Sequence, residues 1–303
     1  MLNLIGIKTK TMNTHLNASQ KPQFDLSTTY KDVQTKTVDV GGAKFAYRSL
    51  GADTGVPVVF LTHLGAVLDN WDPRVVDGIA ARRRVITFDN RGVGASEGST
   101  PDSVAAMAGD AVAFIRALGF EKVDLIGFSL GGFVGQEILL REPQLVRKAI
   151  LAGTGPAGGT GIDKVTRITY IDMLRGFLTF RDPKFYLFFT RTSNGHKSAR
   201  QFLSRLKERK ENRDKSMKIK SFLTQLKAIH AWGLQKPADL SGIKQPVLVA
   251  NGESDRMVPS SNSIDLAKRL PNSEIVLYKD AGHGGIFQYH EEFVKKTLEF
   301  LES

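Results

Sequence analysis

Ser129, Asp255 and His283 are the residues whose types, order and surroundings could do chemistry. Ser129 is the centre of Gly127-Phe128-Ser129-Leu130-Gly131, a serine with glycine two positions to either side. Small flanking residues let a strained turn lift a hydroxyl above the end of a strand. A neutral hydroxyl attacks poorly unless a base takes its proton, and an imidazole base needs a partner that fixes its tautomer. His283, in Ala281-Gly282-His283-Gly284, and Asp255, in Asn251-Gly252-Glu253-Ser254-Asp255-Arg256-Met257-Val258-Pro259, supply the two types. Taken singly, the three read as a glycine-rich turn, a helix-capping acid and a solvated loop imidazole. Taken in the order Ser, Asp, His, each following a different strand, they read as nucleophile, orienting acid and base for acyl transfer.

The elements that must position them are legible as alternating patterns. Lys36 to Val40, the Gly41-Gly42 turn and Lys44 to Arg48 predict a β-hairpin. Beyond it, short apolar runs (Val58 to Leu61, Val85 to Phe88, Val123 to Ile126, Lys148 to Leu151, Val247 to Ala250, Glu274 to Tyr278) alternate with helical patterns. The helical patterns are Ser103 to Leu118, Gly131 to Leu140, Ser261 to Leu270 and Glu291 to Leu301. Continuous apolar strands between amphipathic helices predict an α/β fold, a mostly parallel sheet with helices on both faces. One interruption, 154–235, lacks strand patterning and predicts an inserted helical cap; 31–153 and 236–303 form the core. Residues 1–30, rich in Asn, Thr, Ser and Lys with little periodicity, are expected to be a disordered leader. Ligands in such sheets bind beyond the carboxyl ends of the strands, where a cap would sit.

Composition narrows the function classes. Without cysteine there is no disulfide, thiolate nucleophile or thiolate metal site. No apolar run approaches the roughly 20 residues that span a bilayer, and no secretory signal is recognisable, so the expectation is a cytoplasmic protein. No His pairs with another His or acid at metal-ligand spacing, so neither metal nor cofactor is expected. The net charge of +11 is concentrated: residues 164–227 hold 17 Lys or Arg against 5 Asp or Glu. That segment nets +12, leaving 25 basic and 26 acidic residues elsewhere. A basic face can bind nucleic acid or an anionic membrane. With no recognition motif beside it, the expected reading is a solvated cap face and no nucleic-acid partner.

From about residue 35 to residue 302 the chain resembles the α/β-hydrolase family. Besides Gly127 to Gly131, Asp89-Asn90-Arg91-Gly92-Val93-Gly94-Ala95-Ser96 resembles the family's D-x-R-G-x-G-x-S loop, and Gly252 to Pro259 its G-x-x-D-x-x-V-P segment. Within the family the chain most resembles cofactor-free haloperoxidase-like esterases and the enol-lactone hydrolases of aromatic degradation. The usual His-Gly-x after the third strand is replaced by Thr62-His63-Leu64-Gly65, followed by Trp71-Asp72-Pro73. The enol-lactone hydrolases carry S-L-G at that distance before W-D-P. The resemblance therefore implies an oxyanion hole from the amides of Leu64 and Leu130, with Gly65 as the alternative if His63 is the family's His. His63 then reads as a structural residue, hydrogen-bonded under its loop.

The stretch Met173 to Phe189 is aromatic enough to roof a pocket, with Phe128, Phe177 and Phe185 as expected pocket residues and an apolar or aromatic acyl group as substrate. The function expected is a serine hydrolase of the carboxylesterase or lactonase type. Perhydrolysis (haloperoxidase chemistry) and carbon–carbon bond hydrolysis use the same triad and stay open. A different class, a ligand receptor that binds without turnover, stays open too.

Overall fold

The computed structural model describes residues 28–53 and 55–303. Its eight strands are β1 (Lys36–Val40), β2 (Ala43–Leu50), β3 (Val58–Leu61), β4 (Val85–Phe88), β5 (Val123–Phe128), β6 (Val146–Ala152), β7 (Val247–Gly252) and β8 (Ser273–Tyr278). They form one sheet in the order β1-β2-β4-β3-β5-β6-β7-β8. The hairpin of β1 and β2 is antiparallel to β4, and every other pairing is parallel. The helices are α1 (Pro73–Ala80), α2 (Val104–Ala117), α3 (Leu130–Arg141), α4 (Val165–Leu178), α5 (Lys184–Leu187), α6 (Ser193–Arg205), α7 (Ile219–Gly233), α8 (Ser260–Arg269), α9 (Gly285–Gln288) and α10 (His290–Glu302).

Strand alternation divides the core in two. Val59, Leu61, Leu125, Leu151 and Val249 face α2, α3 and α8, while Val58, Phe60, Ile126, Ile150 and Leu248 face α1 and α10. Both faces are covered, which is why these strands carry apolar residues without interruption. Helices α4 to α7 all fall between β6 and β7, in the segment expected to form the cap, and with the turns between them are called the cap below.

The expected leader extends too far. Residues 1–27 lie outside the described residues, but Tyr30 is buried in the second core, and its hydroxyl donates to the Leu68 carbonyl at 2.7 Å. An aromatic ring with a satisfied hydroxyl belongs to the folded body.

Three cap arginines counted as part of a basic face are structural. Arg205 grips Asp72 with Nε at 2.9 Å and Nη2 at 2.6 Å, and also donates to the Phe287 carbonyl at 3.0 Å. Arg209 donates to the carbonyls of Lys31 at 3.0 Å and Val33 at 2.9 Å, and Arg213 lies 3.6 Å from the Asp69 carboxylate. Asp72 explains the Trp71-Asp72-Pro73 sequence, because its carboxylate also caps α1 by accepting from the Arg74 amide at 3.0 Å. The Asp72 side chain is fully buried. Arg205→Ala leaves that carboxylate unpaired, so urea unfolding should register a loss of about 3–5 kcal/mol. A loss below about 1 kcal/mol, typical of exposed pairs, would contradict this assignment.

A second acidic pair lies between the cap and the loop after β4. Asp89 Oδ1 and Asp214 Oδ2 both accept from the Leu68 amide, at 2.9 and 3.2 Å. Burial, and then the adjacent Asp214 carboxyl, push the Asp89 carboxyl well above the usual range. A carboxyl raised in the folded state keeps a proton that the unfolded chain releases, so stability falls as pH climbs from the unfolded pKa towards the folded one. Asp214→Asn removes the like charge and keeps an amide oxygen for Leu68. Melting temperature followed from acid to mildly alkaline pH should decline less steeply in that variant than in the parent; identical slopes would refute the coupling.

Candidate functional site

The turn after β5 places Ser129 in a left-handed conformation, φ 56°, at the start of α3. Its amide donates to the Ala152 carbonyl at 2.9 Å and its carbonyl accepts from Thr154 Oγ1 at 3.1 Å, so the strain is held from the neighbouring strand. The flanking glycines are required sterically: a Cβ at Gly127 would overlap the Gly131 backbone, and one at Gly131 would overlap the Leu61 carbonyl.

Asp255 and His283, 28 positions apart, meet at the ends of β7 and β8. His283 Nδ1–H donates to Asp255 Oδ2 at 2.7 Å, and both side chains are essentially inaccessible. The other oxygen, Oδ1, accepts from the amides of Met257 at 2.7 Å and Val258 at 3.1 Å, fixing the carboxylate in place. With the proton on Nδ1, His283 keeps a lone pair on Nε2, the state a base needs. Ser129 and His283 line the same cavity, of about 150 Å³. The Ser129 hydroxyl engages no protein partner among the described residues. Such bonds commonly tighten only when substrate is bound.

The residues after β3 occupy the cavity's other side. The Gly65 amide donates to Gln225 Oε1 of α7 at 2.9 Å, whereas the amides of Leu64 and Leu130 donate to no protein acceptor among the described residues. His63 Nδ1 donates to the Leu64 carbonyl at 2.8 Å, the bond expected of it, and its ring stands edge-on to Phe128 and Phe188. Burial, reinforced by the Lys184 charge, lowers its pKa to about 3. It is therefore a neutral, structural imidazole, and it also forms part of the cavity wall.

The three expected pocket aromatics need correction. Phe128 lies beneath the site, its ring 4.9 Å from those of His283 and Phe287. Phe185 is buried within the cap against Tyr186 and His196, and Phe177 is 77% exposed on the far side of α4. The wall is instead built by Phe133, Met173, Leu187, Phe188, Phe222 and Met257. Of these, Phe188 was within reach of the sequence, as one of the aromatics of the cap stretch.

The cap is hydrogen-bonded to three of the four loops that carry the site, all but the one that holds Ser129. Gln225 holds Gly65; Arg256, next to Asp255, pairs with Asp172 of α4 at 2.5 Å and donates to the Tyr186 carbonyl at 3.0 Å; and the Gly284 amide, next to His283, donates to the Phe188 carbonyl at 2.7 Å. A glutamine set among Phe222, Leu226 and Ile229 at helical spacing was the one signal in the sequence that could have pointed to Gln225.

The arrangement is a hydroxyl on a strained turn and an oriented imidazole lining one mostly apolar cavity, with the unengaged amides of Leu64 and Leu130 in the adjoining loops. Chemically, it can move a proton and stabilise an oxyanion. No group of three or more His, Asp or Glu that could hold a metal occurs among the described residues.

Known proteins resemble this chain over most of its length. A family model described as the alpha/beta hydrolase fold matches residues 56–288. A solved structure of an alpha/beta hydrolase fold protein from Chitinophaga pinensis superposes with a TM-score of 0.87 at 38% identity, covering 91% of this chain and 100% of that one. A candidate non-heme bromoperoxidase, BpoC of Mycobacterium tuberculosis, is 28% identical over 82% of this chain and 95% of its own. A candidate carbamate hydrolase, RutD of Rhizobium rhizogenes, is 27% identical over 86% of this chain and 97% of its own.

Proposed function

Given that the chain belongs to the alpha/beta hydrolase family, we propose that it cleaves a carboxylic ester or lactone through an acyl-enzyme formed on Ser129. The observation that carries this reading is the buried 2.7 Å contact between Asp255 and His283 beside the cavity that Ser129 also lines. His283 Nε2 takes the Ser129 proton as Oγ adds to the carbonyl carbon, and Asp255 stabilises the resulting imidazolium. The leaving group departs with that proton. Water, activated by the same imidazole, then releases the acid and restores Ser129.

The unengaged amides of Leu64 and Leu130 support their role as oxyanion donors. The Gly65 amide is already satisfied by Gln225, which favours Leu64 over the alternative. The walls are mostly apolar, with Thr169, Asp182 and Lys184 the polar exceptions beside the site residues, and a cavity of about 150 Å³ can take up a benzene ring, so the acyl group that fits is short or aromatic. No metal or cofactor enters the proposed steps.

The test is a panel of aryl and alkyl esters, enol and saturated lactones and a carbamate, the last because one similar protein bears that activity in its name. We expect turnover of an ester or lactone and labelling of Ser129 by a serine-directed phosphonate. If no acyl compound is consumed and no phosphonate adduct forms, the proposal fails, and saturable binding without turnover would identify a receptor.

A further inference from the structure

The outer side of the cap carries an apolar face that nothing in the described chain covers. Helix α4 turns Val165, Thr169 and Met173 to the cavity and leaves Tyr170, Ile171, Leu174 and Phe177 exposed on its other side. Immediately after it, Phe180 stands at φ 53° in a tight turn and is 97% exposed. Ile219 and Leu223 of α7 extend the face, and a groove lined by Tyr170, Ile171 and Leu223 connects the two helices. Of twelve large hydrophobic side chains exposed among the described residues, eight besides the cavity-lining Met173 belong to this part of the cap. Single exposed hydrophobics are ordinary, but clustering on this scale marks an interaction site.

Charge identifies the occupant. Arg167, Lys218 and Lys220 lie on the same helices or at their starts and have no ion-pair partner among the described residues. The guanidinium groups of Arg175 and Arg181 lie over the rings of Tyr186 and Phe185, at 5.0 and 4.4 Å, and keep their charge without a carboxylate. A second copy of the chain would set two strongly basic faces against each other, an arrangement that like-charge repulsion disfavours. An anionic bilayer satisfies both components, accepting the apolar side chains at its acyl boundary and the cations at its phosphates.

We propose that this face docks the protein on anionic lipid, with Phe177 and Phe180 entering the interface and Arg167, Lys218 and Lys220 meeting headgroups. Because Met173 of the same helix lines the cavity, docking sets the cavity beside the lipid.

The experiment is co-sedimentation of the full chain with vesicles of phosphatidylcholine alone or containing about 30 mol% phosphatidylglycerol, at low and high salt. Binding is expected only with phosphatidylglycerol, weakening as salt rises. Phe177→Ser/Phe180→Ser should lower the partition coefficient at least roughly tenfold with an unchanged melting curve, since both side chains are exposed. Lys218→Glu/Lys220→Glu, an independent variant, should lower it by a similar factor of about ten and flatten the salt dependence. Several results would overturn the proposal. They are no sedimentation with either vesicle, equal sedimentation with both, or undiminished binding by the two variants. A dimer by light scattering that Phe177→Ser/Phe180→Ser converts to monomer would do so as well, by making the face a self-association surface.

Discussion

Ser129→Ala should lower kcat on any ester the protein turns over by about 10⁴- to 10⁶-fold while leaving its melting temperature nearly unchanged. The size of the loss follows from the division of labour in the site. Without Oγ there is no acyl-enzyme, and what is left is binding and oxyanion stabilisation acting on water. The stability half of the result follows from what Oγ does in the fold, which is nothing: it has no protein hydrogen-bond partner among the described residues, and alanine meets the same strain at φ 56° as serine. Steady-state rates together with a thermal melt read both halves. A residual rate above about a hundredth of the parent's would mean that the measured hydrolysis does not pass through this hydroxyl.

The second large effect is expected at Asp255. Asp255→Asn keeps an oxygen for the Met257 and Val258 amides, so the loop should hold its shape. At the other position an N–H₂ group now faces His283 Nδ1, which can satisfy it only by giving up its own proton and becoming the acceptor. The ring then carries hydrogen on Nε2, the atom that receives the Ser129 proton in the proposed mechanism. A fall in kcat of about 10⁴-fold with KM little changed is the outcome such a tautomer reversal predicts. If kcat drops by less than about tenfold, Asp255 is a structural cap for its loop and the orienting role belongs elsewhere.

The central strands were legible because burial on both faces leaves only one solution: β3, β4, β5 and β7 are short apolar runs that begin where the sequence signal does. The loops were legible for a different reason, since Ser129, Asp255 and His283 sit at strand ends flanked by glycines that only tight backbone contacts require. Helix α1 was not anticipated, although Asp72 and Pro73 are a textually plain start signal once Asp72 is known to cap it. Phe177 was misplaced because α4 is apolar on more than one side. Its cavity stripe, Val165, Thr169 and Met173, advances by fours, and each such step rotates by about 40° relative to the helix axis. By position 177 the stripe has turned away from the cavity. Gln225 lay out of reach in a similar way: nothing local tells a helix in the cap that its one buried amide will meet a glycine 160 positions earlier.

The contacts from the cap to three of the four site loops bear on how the molecule can be altered. A segment that only covered a cavity could be exchanged for that of a relative to obtain a new specificity. Here α4, α7 and the Phe188 region supply the fastenings for the loops next to Leu64, Asp255 and His283. A chimera that grafts a foreign cap onto this core would therefore misalign the site loops unless Asp172, Gln225 and the Phe188 carbonyl were transplanted into register with Arg256, Gly65 and Gly284. The insertion is constrained at these three fastenings, so substrate range and the alignment of the site must change together.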